Sequence, residues 1–440
     1  MHACVRCKTQ ASRWMGRLAR RNRDNCRKFD RLHARMLRFL TAGESHGQAL
    51  VVIVEGLPAG LLLGEDAIAI DLARRQLGYG RGRRMAIERD RAEILAGVRH
   101  GETLGSPLAL LIRNRDWTNW QHTMSVAAPT DDLPGARRPL VSRPRPGHAD
   151  LAGGLKYDRT DLRDVLERAS ARETAARVSA GAVARALLAR FGIEISSHVT
   201  RIGDAHLPDP SSVTFDRVRQ LSGEDDVRCV DENVGASMRQ AVDRARETGD
   251  TVGGSFEVIA HQVPAGLGSY VQWDRKLDGR IAQAILSIPA IKAMGFGLAE
   301  EVARLPGSAV HDEIVPASLH ASGTIPGLAR LTNHAGGLEG GVTNGEDVRV
   351  TASMKPISTL MKPLRSVDLA TLTEAKATVE RSDVCAVPAA AVVGEAALAW
   401  VLAEAFLERF GGDSMGAVDA AWTEWTASVA RRTTRTSGPA

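Results

Sequence analysis

Residues 388–410 read PAAAVVGEAALAWVLAEAFLERF, from Pro388 to Phe410. At helical spacing the apolar side chains surround most of the axis, with Pro388 near the first turn and Gly411-Gly412 at the end. A helix that is apolar nearly all round belongs in a core, with other elements packed on several sides. The other clear helical stretch, Asp164 to Phe191, is Ala-rich, which suits close approach to a neighbour, and Gly192 stops it. The architecture is therefore expected to be built around buried helices.

Outward from these helices the strands become readable. Leu50 to Val54 is a β-branched run closed by the turn Gly56-Leu57-Pro58-Ala59-Gly60. Glu65 to Leu77 has helical spacing up to Gly78, and a strand pair is expected within 85–113, most apolar from Leu108 to Ile112. Further strands are expected near Ile195, over Gly253–Ala260 and over Val348–Met354, with helices over Val234–Glu247 and Arg275–Ile288. Strands and helices interleave, so the class is α/β of the α+β type. No Gly-x-Gly-x-x-Gly follows a strand and no Walker A loop occurs, which disfavours a nucleotide-binding Rossmann domain. The polar, Pro-rich stretch from Asn114 to Pro146 reads as a long loop, and the segment after Trp425 reads as a frayed tail.

With 44% hydrophobic and 25% charged residues, the chain can bury a real core. The net charge of +5 is unevenly distributed: residues 1–35 hold eleven Lys/Arg against Asp24 and Asp30, leaving 46 basic and 50 acidic residues in the rest. The body is thus mildly acidic, and 1–35 reads as a basic, disordered or misassigned leader before Met36. Nucleic-acid binding through that leader is the alternative function class. Cys4-Val5-Arg6-Cys7 has a metal-like spacing, but no second cysteine pair accompanies it, so no metal is expected. Cys229 and Cys385 are too isolated for a disulfide framework, which makes a reducing cytoplasm the expected location. No apolar run reaches the roughly 18 residues of a membrane span.

Chemistry-bearing residues gather in small-residue contexts. His46 lies in Gly43-Glu44-Ser45-His46-Gly47, and His148 follows Arg143-Pro144-Arg145-Pro146-Gly147. Small flanking residues admit a ligand to the backbone, and imidazole exchanges protons near neutral pH. Arg74, Arg75, Arg81, Arg83 and Arg84 cluster together, Arg168 and Arg172 stand four apart on the expected helix, and Arg381 precedes Asp383. Guanidinium forks bind phosphate and carboxylate bidentately. Asp383 leads into the apolar run Val384-Cys385-Ala386-Val387, where partial desolvation would suit it to base catalysis; the plainer reading is an N-cap for the helix near Pro388. Taken one at a time, each histidine or arginine is more simply a structural or solvated side chain. Together they point to an enzyme handling a polyanionic substrate with His and Asp proton carriers.

Over almost all of 36–412 the sequence resembles the chorismate synthases. The resemblance is carried by Gly43-Glu44-Ser45-His46-Gly47, Gly78-Tyr79-Gly80-Arg81-Gly82, Arg143-Pro144-Arg145-Pro146-Gly147-His148-Ala149-Asp150 and Glu167-Arg168-Ala169-Ser170-Ala171-Arg172-Glu173. It continues through Asp250-Thr251-Val252-Gly253-Gly254, the Gly-rich stretch Gly336 to Gly345, Met354-Lys355-Pro356-Ile357-Ser358-Thr359 and Arg381-Ser382-Asp383. Any one of these is weak, whereas their order and spacing together are specific.

The resemblance implies a β-α-β sandwich of two antiparallel sheets around core helices, a catalytic domain over 36–412 followed by a tail over 413–440, and a homotetramer. It implies a trans-1,4-elimination of phosphate from 5-enolpyruvylshikimate 3-phosphate, giving chorismate without net redox change. Reduced FMN would lend the substrate an electron and take it back, and an external flavin reductase would supply the reduced cofactor. An intrinsic NAD(P)H:flavin reductase, as fungal members have, is the alternative, though no dinucleotide motif supports it. Carried onto matching positions, His46 would protonate the flavin region, His148 the departing phosphate, and Asp383 would act with the flavin in removing the substrate proton. Arg75, Arg81, Arg84, Arg145, Arg172 and Arg381 would bind substrate. Arg168, Ala169, Ser170, Pro289, Ala290, Gly340, Lys355, Pro356, Ile357, Ser358, Thr359 and Arg381 would hold FMN. Pro289 stands where many members have Asn or Gln, Ala293 replaces a common Gly, and Ala169 replaces a frequent Ser.

Overall fold

The computed structural model describes residues 37–82, 89–128, 139–221, 223, 225–380 and 383–434. The basic leader, Met36, Arg83, Arg84 and Arg381 lie outside the described residues. Two antiparallel sheets organise the rest. The first has strands β1 (Arg38–Ala42), β2 (Ala49–Glu55), β3 (Ala92–Ala96) and β4 (Leu108–Arg113) in the order β1-β2-β4-β3. Alternation sets its inner face: Leu50, Val52 and Val54 of β2, and Leu108, Leu110 and Ile112 of β4, are all fully buried. The second has β5 (Glu194–Ile202), β6 (Ala205–His206), β7 (Gly254–His261), β8 (Ile291–Phe296) and β9 (Val348–Met354) in the order β8-β9-β7-β5-β6. Neighbouring strands run antiparallel in both sheets.

The main helices are α1 (Glu65–Gln76), α2 (Asp150–Tyr157), α3 (Arg163–Ala169), α4 (Thr174–Ala189), α5 (Glu232–Glu247), α6 (Leu277–Leu286), α7 (Val387–Phe410) and α8 (Met415–Thr433). α4 packs on β1, β2 and β4 of the first sheet, while α7 packs on β5 and β7 of the second and against α1, α4 and α6. The apolar surface of α7 is buried nearly all round, as its sequence leads one to expect. It is also the one helix among the described residues long and apolar enough to cross a membrane, and most of it is enclosed by protein. α4 and α7 touch through small residues. A methyl placed on Gly181 would stand 2.3 Å from Cβ of Ala396, so the Ala-rich composition permits backbone-to-backbone contact.

Two expectations are corrected. The single helix expected over Asp164–Phe191 is two, because Ser170 is extended (φ −65°, ψ 143°) and its Oγ accepts the backbone N–H of Arg172. A serine hydroxyl here offers the backbone an alternative partner, and a short 3-10 turn Ala171–Glu173 leads into α4. Arg168 and Arg172 therefore do not share a helix face. The frayed tail after Trp425 is instead the second half of α8. Its start is capped by Ser414 Oγ, Trp422 and Trp425 pack on Phe410, and Met415, Val418 and Val429 are buried, so the segment is anchored along its length.

Candidate active site

Three clusters of side chains collect most of the assigned residues, and each joins segments far apart in the chain. The first forms where β1 hands over to β2. Gly43 has φ +105°, and a Cβ there would meet Ala49 O at 2.3 Å, so glycine is required for the chain to double back. The loop is docked on the end of α3: Ser45 N–H donates to Glu167 O (3.0 Å), and His46 N–H donates to Glu167 Oε2 (2.9 Å). His46 Nδ1 lies 2.8 Å from the same Oε2, and Trp120 stacks on the ring at 3.8 Å between centroids. Arg168 donates to Gly43 O, Thr41 O and Thr41 Oγ1, and Ser170 Oγ meets Ser45 Oγ at 3.2 Å. Burial by itself would raise the Glu167 carboxyl, but His46 and Arg163 outweigh it and hold Glu167 below its ordinary range.

The second cluster is an arginine pair on a buried carboxylate. Arg172 Nη1 donates to Asp90 at 2.5 and 2.6 Å and its Nε to Asn114 Oδ1. Arg75 approaches Asp90 at 3.4 Å and donates to Thr174 Oγ1 and Ala171 O. Burial pushes Arg75 down to about 10; Asp90 opposes this, while the nearby charges of Arg81 and Arg172 add to it. Arg81 in turn donates to Asp383 Oδ2 at 2.6 Å, and Gly82 N–H donates to Oδ1 at 2.6 Å. Asp383 is thus an ion-pair partner of Arg81. It is not the N-cap of α7, whose N-cap residue is Ala386. Its side chain is 22% exposed, so the carboxylate is partly desolvated, as its apolar sequence neighbours imply.

The third cluster surrounds His148. Its Nδ1 bonds Asp150 Oδ1 (2.5 Å), and Asp150 also accepts from Arg145 N and Nε (3.1 and 2.8 Å). The Asp150 side chain is fully buried. Burial opposes its charge, yet His148 and Arg145 hold its carboxyl well below the usual range. Arg145 Nη1 reaches Thr359 Oγ1 (2.9 Å), and Lys355 Nζ donates to Gly147 O. The segment Lys355–Thr359 thereby lies along the His148 loop, and Lys355 N–H donates to Ala290 O (3.0 Å), bringing Pro289-Ala290 alongside. Gly340 stands outside these clusters at a hairpin turn, φ +61°, and a methyl added there would find nothing within 4 Å. A separate cavity of about 650 Å³, lined by Met294, Phe296, Val302, Asp312 and His334 among others, holds none of the assigned residues.

The family described as Chorismate synthase matches residues 37–407, a span that contains all three clusters. The chain belongs to the chorismate synthase family. The chorismate synthase of Geobacter sulfurreducens is 56% identical over 384 residues, covering 87% of this chain and 96% of that one. That of Moorella thermoacetica is 60% identical over 378 residues, covering 86% and 95%. A solved structure titled as a crystal structure of chorismate synthase superposes with a TM-score of 0.71 at 42% identity, covering 90% of this chain and 99% of that one.

Chorismate synthases are lyases that require reduced FMN to eliminate phosphate from 5-enolpyruvylshikimate 3-phosphate, and this chain is one of them. The residues present fit an anionic flavin. Lys355 is lowered by burial and by neighbouring Lys292, a pair of cations that an anionic group would relieve. Gly340 leaves open space where a side chain would project. Arg168 differs, since both its terminal nitrogens are spent on Thr41 and Gly43. Sequence reasoning for a chorismate synthase named the basic partners but missed Asp90, Asn114, Asp150 and Glu167. Asp150 and Glu167 sit inside the matched motifs, and that position was the available signal; Glu167 pairs with His46, 121 residues away, and not with its sequence neighbour Arg168.

Proposed function

We propose that His46, His148 and Asp383 carry the proton movements of the elimination, within a site whose arginines bind the phosphate and carboxylates of the substrate. The observation that carries this reading is the contact between Arg81 and Asp383, 302 residues apart, because it sets a base beside an anion-binding guanidinium. Reduced FMN, when bound, supplies the transient electron that lets the phosphate leave. Asp383, acting with the flavin, takes up the proton removed from the substrate carbon as the carbon–oxygen bond to phosphate breaks. Its ion pair to Arg81 must open or shift to admit substrate, and an incoming carboxylate or phosphate can replace it on the guanidinium. His148, oriented by Asp150, donates a proton to the departing phosphate, and His46 holds one beside the flavin. Arg75, Arg81, Arg145 and Arg172, with Arg84 and Arg381 outside the described residues, bind the substrate anions. Lys355–Thr359, Pro289-Ala290, Gly340 and Ala169-Ser170, with Arg381, hold FMN, and Arg168 serves the flavin by bracing the loop at Thr41 and Gly43. Clustered guanidiniums in a body of net acidic charge concentrate positive potential where two anions must meet.

The finer architecture belongs to the same proposal. A β-α-β sandwich is supported by α4 lying on the first sheet and α7 on the second. Residues 36–412 form the catalytic domain, four copies assemble, and an external reductase supplies the flavin in a reducing cytoplasm. Cys229 and Cys385 are buried free thiols, as such a location permits. The test is anaerobic: protein, chemically reduced FMN and 5-enolpyruvylshikimate 3-phosphate, following chorismate absorbance and phosphate together in the parent and in Asp383→Asn. Stoichiometric products in the parent and a severe loss in the variant support the assignment; full turnover by Asp383→Asn removes it. Flavin reduction by NADPH without any added reductase would favour the bifunctional alternative.

A further inference from the structure

We infer that Glu167 is a positioning residue for His46, fixing the ring in its Nδ1–H tautomer so that its proton exchange runs through Nε2. This rests on reading His46 as an acid–base group. The Glu167 side chain is fully buried, and four bonds converge on it. Oε2 takes His46 N–H at 2.9 Å and Nδ1 at 2.8 Å, Oε1 lies 3.1 Å from Nδ1, and Arg163 Nη1 reaches Oε1 at 3.3 Å. The His46 and Arg163 contacts keep the carboxyl ionised despite burial. An ionised carboxylate has no proton to give, so the Nδ1 that faces it must carry the hydrogen.

The ring cannot easily turn away from this arrangement. Trp120 stacks on it with 20° between planes, and Arg163 lies 5.3 Å over the Trp120 ring. Among the described residues, charged groups near the dyad include Arg163, with Glu380 beyond it at 3.7 Å, Arg168, next in sequence to Glu167, and Asp116, which accepts from Trp120 Nε1 at 3.0 Å. A buried carboxylate that both grips the backbone of a loop and bonds the imidazole that the loop carries sets position and tautomer together. A role limited to loop anchoring would leave the tautomer untouched, and this separates the two readings.

In Glu167→Gln the shape is kept, but the amide NH₂ must face one of the former donors. If it faces Nδ1, the ring switches to the Nε2–H form. With the anaerobic assay, kcat should fall about 100-fold, while KM and reduced-FMN binding stay within about twofold of the parent. The ¹⁵N imidazole spectrum of His46 should show Nδ1 losing its proton. Glu167→Asp, which keeps a carboxylate, should retain the Nδ1–H signal even where turnover drops. In a His46→Ala background, Glu167→Gln should cost nothing further. An unchanged tautomer and unchanged kcat in Glu167→Gln, with His46→Ala severely impaired, would overturn the positioning role and leave His46 as the acid–base group. Normal turnover in His46→Ala would overturn both.

Discussion

Arg75 and Arg172, both proposed to bind substrate, share one buried counter-ion in Asp90. Asp90 has a fully buried side chain between two nearly buried guanidiniums, so it fixes where the two forks point. Removing its charge takes from two buried guanidiniums the carboxylate that they share. Asp90→Asn should therefore destabilise the fold by about 3 kcal/mol, read as a lowered midpoint in denaturant unfolding. A variant as stable as the parent would show that the arginines are held by Asn114, Thr174 and the backbone alone. His148 makes a second case. Its ring is bonded to Asp150, while the segment Lys355–Thr359, proposed to hold flavin, is bonded to Arg145, Gly147, Thr251 and Ala290. His148→Ala should accordingly cut turnover by roughly 10² to 10⁴ with modest loss of flavin affinity, and turnover at the parental level would end its assignment as proton donor.

At the scale of elements, the contact of α4 with α7 locks the layers together. Gly181 lies so close to Ala396 that an added methyl would need either helix to retreat. Gly181→Val should cost about 3 kcal/mol or more through overpacking, with a lower thermal midpoint as the measurement; an unchanged midpoint would mean that the helices separate freely. Both helices were readable from apolar spacing, which depends on neighbours along the chain. The break at Ser170 was not, since good helix formers before it and Ala-rich sequence after it favour continuing the helix. It exists because Ser170 caps the Arg172 N–H and meets Ser45, the latter a partner 125 residues away. That break sends Arg168 to the β1–β2 loop and Arg172 to Asp90, so two neighbouring arginines serve two different clusters.

Across the whole molecule, Glu395 of α7 ties four elements and a loop through charge. It accepts from Arg74 of α1 at 2.6 and 2.7 Å, Arg185 of α4 at 2.5 Å, Arg228 at 3.2 Å and Ser197 of β5 at 2.6 Å. Burial opposes its ionisation, but Arg74, Arg185 and Arg228 outweigh this and bring it from 4.5 down to about 2. A carboxyl lowered in the folded state contributes stability that is complete above its unfolded value and is lost as pH falls through its folded value. The parent should therefore lose on the order of 3 kcal/mol from this group between about pH 5 and pH 2. In Glu395→Gln this acid-dependent loss should shrink, alongside lower stability at neutral pH. Denaturant titrations across that range would show it, and parallel pH profiles in parent and variant would rule out Glu395 as a source of the acid sensitivity.

The sequence by itself determined the element types, the buried character of α7, the loops that carry His46 and His148, and, through the order of its motifs, the family. These follow from spacing and local composition, which act over a few residues or are matched as strings. Only the tertiary structure decided the acidic partners. Asp90, Glu167 and Glu395 find their main partners in distant segments and Asp150 within its own loop, and each acquires its role from cations and amides that folding brings to it. Burial in a low-dielectric interior is what turns such a pairing from a weak surface contact into a fixed geometry, and burial is a property of the assembled chain.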